Sequence, residues 1–285
     1  MDNLFDFASQ QGLFRKLEVS DVLFTEYKCM QQESVFGVWS HYNYVVYVLS
    51  GKKKWRTLSQ DYMVYAEEAI FVKKGANIIH KFFEEEFCAL IMFLPDHFIR
   101  EVVASLPPPP AGPALPTDAV IPIHLNRTLS AYFHSLYAYF LEEQPPPAHL
   151  LEIKFKELIA HLVSFETNRP LCHYFRELCH QHKPSLREIM EANFKYNLTL
   201  AEFARLTGRS LTAFKREFQQ QFQMSPGRWL TQARLHYARH LLETSDWPVN
   251  ELVLECGFEN TSHFSRIFKQ HFGTSPLQYR KVHAS

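Results

Sequence analysis

The chain has 285 residues, enough for two domains, and its 30 basic and 30 acidic side chains leave it formally neutral. A content of 46% hydrophobic, 21% charged and 15% aromatic residues describes a globular protein and argues against a disordered one. No apolar run approaches the ~18 residues of a membrane-spanning helix, so no membrane partner is expected.

Met1-Asp2-Asn3-Leu4-Phe5-Asp6 carries acid where a secretory signal would place Lys or Arg, and a cytoplasmic location is the expectation. Five cysteines, Cys29, Cys88, Cys172, Cys179 and Cys256, form no CxxC pair and fit a reduced compartment. Neutrality hides a split. Residues 1–184 hold 17 basic and 21 acidic side chains, a net of −4, whereas residues 185–285 hold 13 and 9, a net of +4. A basic half points first to nucleic acid.

Up to Ala104 the chain reads as β: Val45 to Leu49 is a β-branched and aromatic run closed by Ser50-Gly51. Trp55 to Leu58, Tyr62 to Tyr65, Ala69 to Val72 and Ala89 to Phe93 are further strand candidates, with a turn at Lys73 to Asn77. Short strands at this spacing predict a sandwich or barrel. Ten of the 16 prolines lie between Pro107 and Pro147, in runs at Pro107 to Pro113 and Pro145 to Pro147 that neither helix nor central strand tolerates. Between and after them the period changes. Leu129, Tyr132, Phe133, Leu136, Tyr137 and Phe140, then Leu151, Phe155, Leu158, Ile159 and Leu162, recur at helical steps. A helical hairpin follows, which either packs onto the β domain or forms a dimer interface. If it is an interface, charges at Leu158 and Leu162 would give folded monomers.

The last hundred residues contain an internal repeat. Phe214-Lys215-Arg216-Glu217-Phe218, Phe222 and Ser225-Pro226 recur, at a constant offset of 50, as Phe264-Ser265-Arg266-Ile267-Phe268, Phe272 and Ser275-Pro276. In the first copy Thr199-Leu200-Ala201-Glu202 is a capping box, Gly208 ends the helix it starts, and Ser210 caps the next. Leu211, Phe214, Phe218 and Phe222 form an apolar face, opposite Thr212, Lys215, Arg216 and Gln219. In the second, Pro248 opens a helix that ends at Gly257, and a helix from about Thr261 to His271 turns Phe264, Phe268 and Phe272 inward. Ser262, Ser265, Arg266 and Lys269 face out. Helix, glycine turn, helix is the helix-turn-helix unit, whose second helix enters the major groove. Residues 226–243 between the copies predict a single linking helix.

The segment Leu200 to Lys281 resembles the AraC/XylS family of transcription regulators. Leu200-Ala201, Gly208, Ser210 and Arg234 fall on its pattern, as do Gly257-Phe258, Ser262, Phe264, Arg266, Phe268-Lys269, Phe272-Gly273, Ser275-Pro276 and Tyr279-Arg280. Cys256 and Phe222-Gln223 depart from it. Val45 to Gly51, Ala69 to Gly75 and His80 resemble that family's cupin-like regulatory domain. Phe93-Leu94-Pro95-Asp96 and Phe98-Ile99-Arg100-Glu101 resemble the branch that contains type III secretion activators, whose N-terminal domain responds to protein partners.

The resemblance implies a multidomain chain: a cupin-like β-barrel regulatory domain (1–104), a Pro-rich linker (105–122), a dimerising α-helical hairpin (123–183) and an all-α DNA-binding domain with two helix-turn-helix motifs (184–285). Its partners would be double-stranded DNA, a second copy, RNA polymerase, and a small-molecule or protein effector. Thr212, Lys215, Arg216, Gln219, Thr261, Ser262, His263, Ser265, Arg266 and Lys269 are the expected DNA-facing residues. Arginine pairs bidentately with guanine in the major groove, whereas a bare helix charge is ordinarily just solvated; Arg234 is equally well a structural partner. An alternative is a cupin-type metal enzyme tethered to DNA. Metal-binding cupins use a His-x-His pair, and here His41-Tyr42-Asn43 breaks it, leaving His80 isolated. Cys172, His173, Cys179, His180 and His182 are denser, but a packed helix explains them. With no P-loop, GxSxG, HExxH or GxGxxG, no catalytic residue, metal or cofactor is expected.

Overall fold

The computed structural model describes all residues except 11, 29–33, 58, 84–85, 108–117, 181–183 and 284–285. Cys29, Leu58, Glu84-Glu85, most of the first proline run and His182 therefore lie outside the described residues. The chain divides into two compact units, Met1–Pro184 and Ser185–Ser285.

In chain order the first unit contains β1 (Asp2–Asn3), α1 (Leu4–Ala8), β2 (Arg15–Val19), β3 (Val22–Lys28), β4 (Val35–Ser40), β5 (Asn43–Ser50), β6 (Lys52–Arg56), β7 (Asp61–Tyr65), β8 (Ala69–Val72), β9 (Gly75–Lys81), β10 (Cys88–Leu94), α2 (Asp96–Ser105), β11 (Val120–Ile123), α3 (Arg127–Ala138), α4 (Ala148–Ser164) and α5 (Arg169–His180). The predicted turn at Lys73 to Asn77 is shorter than expected, because β9 already begins at Gly75. The strands form two separate sheets, ordered β1-β4-β9-β6-β7 and β11-β8-β5-β10-β3-β2. This corrects the expected barrel: the described strands close no barrel, and each sheet keeps its own edges.

The period of two explains the layering. On β5, Tyr44, Val46 and Val48 point between the sheets, with Ile91 and Phe93 of β10 and Trp55 and Ile79 of the facing sheet. Val45 and Tyr47 point to the other side, with Leu90, Met92 and Phe71. That second face is covered by α2 to α5, giving a sheet, a sheet and a helical layer. A strand buried on both faces reads as an unbroken apolar run, as Val45 to Leu49 does.

The helical stripes are consumed inside this one chain. Phe133, Leu136, Phe155, Leu158, Ile159 and Leu162 belong to the same core as the sheet residues, and Leu158 and Leu162 are 0% exposed. Charges at those two positions would therefore unfold the unit rather than separate copies, contrary to the sequence expectation. Apolar side chains left outside on this layer are Leu141, Leu150 and Ile153.

A buried polar network ties sheet to helices. Asn43 donates from Nδ2 to Asp96 Oδ1 at 2.8 Å and accepts at Oδ1 from Lys74 N at 3.1 Å and Tyr174 Oη at 2.8 Å. Lys74 Nζ completes it by pairing with Asp96. The four residues come from β5, the connection between β8 and β9, α2 and α5, so the network is satisfied only when all of these segments are docked.

The second unit contains α6 (Leu186–Asn193), α7 (Leu200–Leu206), α8 (Leu211–Phe222), α9 (Pro226–Thr244), α10 (Val249–Glu255), α11 (Thr261–Phe272) and α12 (Pro276–His283). Among the described residues no helix is long and apolar enough to cross a membrane.

Candidate nucleic-acid interface

The helix α7 starts with the full capping box: Thr199 Oγ1 accepts from Glu202 N at 3.3 Å, and Glu202 Oε2 accepts from Thr199 N at 2.6 Å. Gly208 turns the chain at φ +63°. Arg209 braces that turn, its Nε donating to Glu217 Oε2 at 2.7 Å and its Nη1 to Thr207 O at 2.7 Å. Ser210 then caps α8 by accepting from Ala213 N. Phe214 and Phe218 are fully buried, and Phe222 stacks on Phe218 at 4.3 Å. Leu211 is the exception to the predicted apolar face: in the first turn of α8, it is 39% exposed.

The second copy repeats the plan. Pro248 is the N-cap of α10 rather than its first helical residue, and Gly257 turns the chain at φ +80°. Asn260 caps α11, its Oδ1 accepting from His263 N at 2.8 Å. Phe264 and Phe268 are buried with Leu252, Val253, Cys256 and Phe258. Burial pushes the Cys256 thiol up to about 12, so it behaves as a small apolar core residue. Gly273 ends α11 in the left-handed region; Gln223, its counterpart after α8, takes the same conformation at φ +54° despite its side chain.

The 19-residue α9 spans roughly 28 Å at 1.5 Å per residue and joins the copies. Arg234, from its middle, donates to three backbone oxygens: Phe194 at 2.7 Å, Gly257 at 2.8 Å and Tyr196 at 3.0 Å. Its role in the structure is therefore to bind the segment after α6 to the turn after α10. Lys195 Nζ reinforces the same seam through Glu255 Oε1 at 3.1 Å. Spacing alone could not have found this seam, since its partners lie up to 60 residues apart.

The expected readers face solvent. Thr212, Lys215, Arg216 and Gln219 on α8 are exposed, as are Thr261, Ser262, His263, Arg266 and Lys269 on α11; Ser265 is half-buried. No acidic residue occurs in α11, and the one in α8, Glu217, is held by Arg209. Each helix thus presents a polar and basic face with little local counter-charge, which suits a polyanion. His263 Nδ1 lies 3.2 Å from Arg266 Nη2, so these two expected readers also engage each other.

The candidate metal ligands do not converge. His41 is occupied with Asn3 Nδ2 at 3.2 Å and with the Phe5 and Tyr42 rings. His80 lies on β9 with burial, Lys54 and Arg56 holding its pKa low. Cys172 is buried, donating to Leu162 and Val163 carbonyls, while Cys179 is exposed and His173 pairs with Glu177. Among the described residues no three His, Cys, Asp or Glu side chains could hold a metal ion.

Residues 43–174 match the family described as ExsA N-terminal regulatory domain, and residues 203–282 match that described as helix-turn-helix domain. The virulence regulon transcriptional activator VirF of Yersinia enterocolitica is 26% identical over 251 residues, covering 86% of this chain and 92% of that protein. The HTH-type transcriptional regulator ExsA of Pseudomonas aeruginosa is 29% identical over 167 residues, covering 58% of this chain and 59% of that one. Among solved structures, a transcriptional regulator with an AraC-type DNA-binding domain from Chromobacterium violaceum is 30% identical, covering 35% of this chain and 89% of the other, with a TM-score of 0.33.

Proposed function

The chain belongs to the AraC/XylS family of DNA-binding transcription regulators, and on that premise we propose that it activates transcription by laying α8 and α11 into successive major grooves of one duplex. The carrying observation is the matched pair of helices: each buries a phenylalanine rail and exposes the same polar register, with Arg216 and Arg266 at equivalent positions. The arginines read guanine bidentately, Lys215 and Lys269 neutralise phosphate, and Thr212, Gln219, Thr261, Ser262, His263 and Ser265 complete the contacts. The span of α9 is close to one duplex turn, the separation two such readers need.

Activation is supported by VirF, which is a transcriptional activator. Control through the first unit is supported by the regulatory-domain match over 43–174. In this reading residues 1–104 form the regulatory β domain, 105–122 a linker, 123–183 the dimerising hairpin and 184–285 the DNA-binding domain. A protein or small-molecule effector acts on the regulatory part, RNA polymerase is contacted at the promoter, and the protein works in the cytoplasm. A DNA-tethered metal enzyme is the competing reading, and metal analysis of the purified protein separates the two.

The test is selection of bound duplexes from a random library by the full chain, followed by melting curves and binding isotherms for two variants. Arg266→Ala leaves stability within ~0.5 kcal/mol and costs ~1–3 kcal/mol of binding at one base position. Phe268→Ala, two residues away, instead costs about 3–5 kcal/mol of stability by core truncation. A chain that selects no sequence, or an Arg266→Ala variant that melts early while binding normally, overturns the assignment.

A further inference from the structure

His263 occupies the third position of α11, where its backbone N–H is taken by the Asn260 cap, and its ring reaches one turn forward to Arg266. A guanidinium has donors only, so at 3.2 Å the imidazole Nδ1 must be the acceptor, which puts the ring proton on Nε2. In that tautomer the Nε2–H is the ring's remaining donor, beside the arginine. Helix α8 has the same arginine, Arg216, but at the equivalent third position stands Ala213, likewise capped by Ser210, with no side chain able to reach forward. The two helices therefore differ in one respect that the repeat conceals: among the described residues the third position of α11 buttresses its arginine and that of α8 does not.

We propose that His263 is a positioning residue that holds the Arg266 guanidinium in one rotamer, making the α11 element the more stringent guanine reader and leaving α8 the tolerant one. Resting on the DNA-reading function proposed above, this moves His263 from a direct base contact to a residue acting through Arg266. The physical reason is entropy: a long exposed arginine must be immobilised when it binds, and a partner that fixes it beforehand removes part of that cost.

The experiment uses the full chain and duplexes it selects from a random library, with the guanine in each half-site replaced in turn by adenine. Wild type is expected to discriminate about 10–100-fold at the α11 guanine and several-fold less at the α8 guanine. His263→Ala should reduce the α11 preference about 3–10-fold with an unchanged melting point, and His263→Gln, which restores a side-chain acceptor, should recover most of it. Ala213→His should sharpen discrimination at the α8 half-site. If His263→Ala leaves guanine preference as in wild type, or His263→Gln fares no better than His263→Ala, the positioning role is overturned while DNA reading stands. If the wild-type chain selects no duplex, both fall together.

Discussion

Gly257 and Gly273 take nearly the same left-handed conformation, at φ +80° and +83°, but they are not equivalent. A Cβ at Gly273 would meet nothing within 4 Å, whereas one at Gly257 would lie 2.4 Å from Lys195 O and 3.0 Å from Arg234 Nε. Gly273→Ala should therefore cost about 1–2 kcal/mol, the backbone penalty alone. Gly257→Ala adds a steric term of roughly 1–3 kcal/mol against a backbone oxygen that cannot retreat without breaking the Arg234 seam. Urea unfolding of both variants checks this; equal losses would mean that the seam yields freely. Asp118 makes a pH prediction. Burial works against its carboxylate, but donors from Ser59, Thr57, Ala119 N and Tyr62 outweigh it and hold the pKa below the ordinary value. A depressed pKa stabilises the folded state above the ordinary carboxylate range, and that stability is lost as pH falls through the folded value. The melting point of the first unit should thus drop more steeply in wild type than in Asp118→Asn between about pH 5 and pH 3. Parallel curves would show that the cluster stores no pH-dependent stability.

At the scale of elements, α4 carries two apolar sets with different fates. Leu151, Phe155, Leu158, Ile159 and Leu162 are spent on the core of the first unit, while Leu150 and Ile153 remain 39% and 58% exposed. Leu158→Glu with Leu162→Glu must bury two carboxylates, a cost beyond the about 2–5 kcal/mol of simple truncation, and should leave the unit unfolded. Leu150→Glu with Ile153→Glu should fold normally and, if the hairpin does pair copies, shift sedimentation toward the monomer. Circular dichroism and sedimentation of the two double variants separate these outcomes; a folded Leu158→Glu, Leu162→Glu protein would mean that the helix docks elsewhere.

Over the whole molecule, the acidic and basic halves match the two compact units, whose boundary falls at Pro184 and Ser185. Residues 184–285, which contain α8, α9 and α11, should bind DNA alone, and affinity should fall steeply with salt as phosphate contacts release counterions. Fluorescence anisotropy across a salt series measures it. A fragment with native helical content and salt-insensitive or absent binding would contradict the assignment. Full-length protein differing from the fragment in affinity would then quantify the influence of the first unit.

Much of the second unit was legible from spacing because its determinants are local. Thr199 and Glu202, Gly208, Ser210, Gly257 and the phenylalanines at four-residue steps act within one or two helical turns, so the sequence carries their geometry directly. The strand run at Val45 was legible for the same reason. What could not be read depended on closure over long separations. Whether the α4 stripe meets a sheet or another copy, whether the described strands close or stay as two sheets, and which carbonyls receive Arg234 are set by which surfaces meet after folding. Leu211 shows the limit within a single helix. Its spacing matches Phe214 and Phe218, which are fully buried, yet it stays 39% exposed, and no pattern of residue types within α8 records which positions the tertiary packing covers.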